Sequence, residues 1–262
     1  MPQLDRDGVH IRYHVHPGGP GVPVLMTHGF TATHAMHELT VPVLSPARTC
    51  ITWDVRGHGE TDSPADPGQY SIPLALEDMR AILDAEGIDR AVLLGHSMGG
   101  FLSMSFQRRF PERVAALVLV GTGPGYRSDA PRAGWNEVCE AYARSFETRG
   151  LEALLDSPEV HLARHRGAAG LVLAARGILR QHDADVIDHL PDIDVPVLLV
   201  AGSDDTPFVD GMAYMARKIP GSHHAVIEGA GHAPMVTHPQ QYDPLVAGFL
   251  DGLDHTTKEH PR

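Results

Sequence analysis

The chain has 262 residues, enough for one large α/β domain with an insertion and a full buried core. Hydrophobic content of 42% beside 21% charged residues is that of an ordinary globular protein. A net charge of −12 argues against nucleic acid and anionic membrane as partners, since both are bound through clustered Lys and Arg.

Taken in chain order, the first eight residues lack the basic and apolar regions of a secretory signal. No apolar run approaches bilayer-spanning length, so a soluble cytoplasmic protein is expected. Residues 3–7 and 9–16 read as a hairpin turning at Asp7-Gly8. In its second arm Val9, Ile11, Tyr13 and Val15 alternate with His10, Arg12, His14 and His16, one face buried and one wet. The three histidines are read as a solvated edge, because no carboxylate or cysteine joins them to complete a metal site. Short apolar runs follow at Pro23–Thr27, Thr49–Trp53, Ala91–Leu94, Val114–Val120, Val195–Ala201 and His223–Ile227. Helical stretches at 72–86, 98–109, 209–218 and 239–251 fall between and after them, and Gly87 is placed to end the first. That rhythm predicts a mostly parallel, doubly wound α/β sheet, its strands buried on both faces, behind an N-terminal antiparallel hairpin. Between Gly123 and Pro191 it breaks: helix-forming composition predicts several inserted helices, well placed to roof a pocket. The polar tail 255–262 is expected to be flexible. Cys50 falls in a strand and Cys139 in the insertion; both are expected to be free thiols in a reducing compartment.

Chemistry enters at Gly95-His96-Ser97-Met98-Gly99, between an apolar run and a helix. Strand, Gly-x-Ser-x-Gly, helix is the pattern of a nucleophile elbow, in which a strained turn lifts the central side chain clear of the sheet. Serine needs a base, and His232 is selected from 18 histidines by position, just past the last strand through Glu228-Gly229-Ala230-Gly231. His96 is set aside because adjacent side chains diverge, and His238 because it begins a helix at the surface. The base needs an acid, and the end of the preceding strand offers two, Asp204 and Asp205. An oxyanion needs N–H donors; Phe30, in His28-Gly29-Phe30 after the strand Pro23–Thr27, and Met98, after Ser97, are expected to supply them from the backbone.

Together these segments resemble the α/β-hydrolase fold family. His28-Gly29-Phe30 resembles its oxyanion loop and Asp54-Val55-Arg56-Gly57-His58-Gly59 its D-x-R-G-x-G turn. Gly95–Gly99 is similar to its elbow, Gly202-Ser203-Asp204-Asp205 to its G-x-x-D turn, and Gly231-His232 to its terminal base. The resemblance covers roughly residues 20–120 and 193–252. It implies a core over 1–122 and 192–254 with a helical cap over 123–191, and it puts the acid on Asp205, the fourth residue of its turn. It also implies that Arg56 to Gly59 brace the sheet edge, and Ser97 argues against the dehalogenases and epoxide hydrolases of the family, which carry aspartate there.

The reading that follows is a serine hydrolase cleaving an ester or lactone of a small, largely apolar substrate, without cofactor or metal. Phe30, Phe208, Met235 and Trp135 are expected to line the substrate pocket; Arg132, Arg144 and Arg176 read as solvated helix faces rather than a carboxylate clamp. Two alternatives share the site. A carbon–carbon hydrolase, lyase or cofactor-free oxygenase would use the His–Asp pair to deprotonate substrate. A ligand-binding receptor would keep the triad as a vestige.

Overall fold

Asp7 and Gly8 turn the chain with positive φ at both residues, 56° and 81°, as a tight two-residue hairpin loop requires. The turn joins β1 (Gln3–Arg6) antiparallel to β2 (Val9–Thr27) in this computed structural model, which describes residues 3–156 and 163–259. The runs expected separately at 9–16 and Pro23–Thr27 are one extended segment that folds back on itself. Tyr13 lies opposite Trp53 and His16 opposite Cys50, whereas Val24 lies opposite Cys50 and Thr27 opposite Trp53. Strand β3 (Arg48–Trp53) therefore sits between the two arms of β2, its direction opposed to the first and matched to the second. Beyond the second arm β4 (Ala91–His96), β5 (Val114–Val120), β6 (Val197–Gly202) and β7 (His223–Ile227) add in that order, all parallel.

Alternation along each strand builds two cores. Val92, Leu94, Val118 and Val200 face one layer, closed by the short α1 (Val41–Leu44) and by Tyr242 and Val246 further along the chain. Leu93, Leu117 and Leu199 face the other, covered by α2 (Ile72–Ala85) and α3 (Met98–Arg109). The N-cap of α2 is Ser71, and it ends in a Schellman turn: the Gly87 N–H reaches Asp84 and the Ile88 N–H reaches Leu83, with Gly87 at φ 64°. Burial on both faces does not extend to β7, where Val226 is 48% exposed because β7 is the sheet edge.

The segment after β5 is helical: α4 (Asp129–Arg149), a 3₁₀ stretch at Gly150–Asp156, α5 (Ala168–Ala174) with a π turn at Ala175–Leu179, and α6 (Asp185–His189). Arg176 ties α5 to α4 through a two-pronged pair with Glu140, at 3.0 and 2.7 Å. Arg132 donates to the Tyr126 and Arg127 carbonyls, so these arginines serve the inserted helices themselves. After β6 come α7 (Thr206–Lys218), α8 (Pro234–Thr237) and α9 (Pro239–Glu259). Helix α9 runs past the expected end at 251 and takes in the first five residues of the expected tail; residues 260–262 lie outside the described residues. Both cysteines are buried and free.

Candidate active site

Strand β4 delivers Ser97 to the carboxyl edge of the sheet with φ 51° and ψ −115°, a conformation that L-residues enter only under constraint. The constraint is visible. Ser97 donates its N–H to Val120 of β5 at 2.9 Å, and its carbonyl accepts the Thr122 hydroxyl at 2.7 Å. A Cβ on Gly95 would drive into the Gly99 carbonyl, and one on Gly99 into the Thr27 carbonyl, so both glycines are needed for helix and strand to approach. Ser97 Oγ makes no hydrogen bond among the described residues.

On the same edge His232 Nδ1 lies 2.9 Å from Asp205 Oδ2. The loop after β6 explains why Asp205 and not its neighbour reaches the ring. Ser203 N–H donates to Ile227, Asp204 N–H to Ala230 and Gly229 N–H to Ser203 Oγ, stitching this loop to the one that carries His232. That stitching leaves Asp204 in solvent and turns Asp205 inward, 4% exposed. The His232 ring is held between Phe208 and His96, each with its centroid 4.6 Å away. Burial keeps the His96 pKa well below the usual histidine range, so the ring stays neutral and its Nε2–H donates to the His232 carbonyl at 2.9 Å. His96 thus faces the backbone of His232 and not the serine hydroxyl.

Two backbone N–H groups remain beside the serine. Neither Phe30 nor Met98 donates its N–H to any group among the described residues. Gly29 brings the Phe30 loop close: a Cβ there would stand 2.5 Å from His96 Nδ1 and 3.2 Å from Ser97 Cβ. Below it His28, its pKa lowered to about 4 by burial, accepts the Val55 N–H at its Nε2. The turn after β3 is braced as expected, with Arg56 pairing Asp78 of α2 at 2.6 and 2.9 Å where both side chains are buried.

Ser97 stands where two lobes of a cavity meet. One, of 640 Å³, also touches Phe30, Thr31, Phe146, Asp205 and His232; the other, of 330 Å³, touches Met98, Phe101, Ile178 and Ile187. They share a wall of Ser97, Tyr126, Trp135, Leu179, Pro207 and Phe208. Phe30, Phe208 and Trp135 are therefore lining residues. Met235 is not: it is fully buried in the core beneath the sheet with Tyr242 and Val246, because the short helix α8 turns it inward.

Sequence reasoning missed three contributors. Gly121, at φ 50°, leaves room for the His–Asp pair: a Cβ would meet the His232 carbonyl at 2.8 Å and Asp205 Oδ2 at 3.3 Å. His165, from the insertion, accepts the Gly59 N–H at 3.0 Å and bonds the Thr31 carbonyl at 2.9 Å, joining both loops. The third is His96. Only its place beside Ser97 marks it in sequence; Gly121 ends an apolar run, and nothing local marks His165.

This fold and edge define the class: the chain belongs to the α/β-hydrolase fold family, whose model matches residues 22–169, and it is an enzyme of that family. It is 31% identical to a Bacillus subtilis protein, across 94% of this chain and 97% of the other, provisionally named 2-succinyl-6-hydroxy-2,4-cyclohexadiene-1-carboxylate synthase. It is 27% identical to the pimeloyl-[acyl-carrier protein] methyl ester esterase of Aeromonas hydrophila, across 88% of this chain and 96% of that one. Among solved structures it is similar to an N-acyl homoserine lactone degrading enzyme, with TM-score 0.72 and 28% identity over 95% of this chain and 100% of the other. No helix among the described residues is long and apolar enough to cross a membrane. Among the described residues no group of three or more His, Cys, Asp or Glu is arranged to hold a metal ion.

Proposed function

We propose that the protein is a serine hydrolase that cleaves carboxylic esters or lactones of small, largely apolar molecules through an acyl-enzyme. The observation that carries this reading is one cavity lining shared by Ser97, whose hydroxyl has no partner among the described residues, and the His232–Asp205 pair, with Phe30 on the same lobe and Met98 on the adjoining one, neither of which donates its N–H among the described residues. Ser97 Oγ attacks the carbonyl carbon as His232 Nε2 takes its proton, and Asp205 holds the ring through Nδ1–H and steadies the imidazolium. The Phe30 and Met98 N–H groups receive the oxyanion, a role in which one donor is typically worth about 100- to 1,000-fold in rate. The imidazolium returns its proton to the departing alkoxide, and water repeats the sequence on the acyl-enzyme. Serine–base hydrogen bonds are often long without substrate and tighten in the complex, consistent with a Ser97 hydroxyl that has no partner among the described residues. The inserted helices roof the site through Trp135, Phe146 and Leu179 and give it apolar walls.

A second reading is favoured by the name of the Bacillus subtilis relative. There the same His–Asp pair removes a proton from substrate carbon, or carbon–carbon cleavage replaces ester hydrolysis. One experiment separates them. Ser97→Ala should lower hydrolysis of p-nitrophenyl esters by on the order of 10⁴-fold or more and abolish labelling by a fluorophosphonate probe. Turnover of a carbon-acid substrate that survives this substitution would favour the second reading.

A further inference from the structure

The turn that carries the Phe30 N–H is strained at its third residue. Ala32 donates its N–H to the Gly29 carbonyl at 3.2 Å, closing a turn with Phe30 and Thr31 at its centre. Thr31 has φ 67°, a value that suits glycine at that place in a turn and is costly for a β-branched residue. Strain of this kind persists only where the surroundings hold it.

Two histidines hold it. His28 accepts the Val55 N–H at Nε2, so its Nδ1 carries the proton and donates to the Gly29 carbonyl at 2.7 Å. That carbonyl and the Phe30 N–H belong to one trans peptide and point opposite ways, so fixing the first aims the second. His165, just before α5, accepts the Gly59 N–H at Nδ1, which leaves its Nε2–H to donate to the Thr31 carbonyl at 2.9 Å. Nothing else bonds that carbonyl among the described residues. The Thr31 carbonyl and the Ala32 N–H again share one peptide. The grip of His165 therefore passes through one planar unit and one hydrogen bond to the peptide that bears the Phe30 N–H.

His165 is itself anchored. Gly59 lies in the turn after β3, where the His34 and Glu60 N–H groups both donate to Asp54. Burial lowers the pKa of His165, which favours the neutral ring that both of its bonds require. It lines neither lobe of the cavity around Ser97, so it reaches the chemistry only through the loop. We infer that His165 is a positioning residue that holds the Phe30 N–H where the oxyanion forms. The inference rests on the hydrolase reading above, in which that N–H is a donor to the transition state. Its effect therefore falls on kcat, because the oxyanion exists in the transition state and not in the bound ester.

Three substitutions test this. The amide of glutamine reaches the place of the imidazole Nε2 and that of asparagine only the place of Nδ1, so His165→Gln keeps the donor to Thr31 and His165→Asn does not. On p-nitrophenyl butyrate, His165→Leu and His165→Asn should each lower kcat about 30-fold or more with KM within about threefold. His165→Gln should keep kcat within about fivefold, with folding of all three checked by circular dichroism. Exchange of the Ala32 amide, followed by NMR, should quicken about tenfold or more in His165→Leu and His165→Asn and not in His165→Gln. The inference is overturned if His165→Leu and His165→Asn keep kcat, if His165→Gln loses as much as His165→Asn, or if the loss falls on KM. Failure of the hydrolase reading looks different: the unsubstituted enzyme cleaves no ester and takes no fluorophosphonate label. Ala32 exchange then reads the grip of His165 by itself, and an unchanged rate overturns it.

Discussion

Asp204 and Asp205 are adjacent carboxylates with opposite surroundings, and the contrast makes a clean test of the triad. Asp205 is buried against His232 Nδ1, whereas Asp204 is exposed and its carboxylate is bonded only to the Ser203 hydroxyl among the described residues. An amide at 205 keeps the shape but presents the wrong partner to the ring. Asp205→Asn should therefore lower kcat on the order of 10⁴-fold with little loss of stability. Asp204→Asn should leave kcat within about twofold, as for surface substitutions generally. Steady-state kinetics on one chromogenic ester reads both; equal losses would break the assignment of Asp205 as the acid.

The elements matter through where their ends lie. Strands β4, β5 and β6 finish side by side, and the chain after each bears on the site: Ser97 and Gly121 follow directly, and Asp205 stands three residues past the end of β6. Gly121 is the quiet member, since its missing side chain gives the imidazole–carboxylate pair its seat. Its φ of 50° also disfavours any other residue. Gly121→Ala should displace His232 by a fraction of an ångström to an ångström, and misplacement on that scale costs on the order of 100-fold in kcat/KM. The same substitution should destabilise the fold by about 1–3 kcal/mol, read from urea unfolding. An alanine variant with unchanged kinetics would show that the seat is not needed.

For the molecule as a whole, the buried histidines set an acid limit on stability. Burial lowers the pKa of His37 to about 3 and of His28 to about 4, and holds His58 and His96 well below the usual range. In the unfolded chain each titrates near 6.5, so between that pH and the folded value the unfolded state binds more protons. Stability is then full above pH 6.5 and falls as pH drops toward 4. Each such group contributes about 1.4 kcal/mol per pH unit within that window. His34 works against this trend: burial lowers its pKa, but the hydrogen bond and charge of Asp54 outweigh that and leave it raised. His37 is the cleanest probe, because neither ring nitrogen has a partner among the described residues. His37→Leu should flatten the slope of unfolding free energy against pH by about one proton between pH 6 and 4, measured by urea denaturation. An unchanged slope would mean that His37 is not the neutral buried group its surroundings require.

Local chemistry made much of this protein legible in its sequence. Asp7-Gly8 sets the hairpin, Ser71 and Gly87 bound a helix, and the apolar runs mark strands whose residues alternate between two cores. Gly95 and Gly99 mark the elbow in sequence, and strand ends that share an edge narrow the partners of Ser97 to His232 and one of Asp204 and Asp205, with the family resemblance putting the acid on Asp205. Other features depended on segments far apart in the chain. The two arms of β2 around β3, the exposure of β7 at the sheet edge and the inward turn of Met235 come from neighbours that no local pattern announces. So do Gly121 against His232 and His165 across two loops. Periodicity and turn chemistry act over a few residues, so the sequence specifies elements and the groups at their ends. Packing decides what faces what, and with it the shape of the cavity around Ser97.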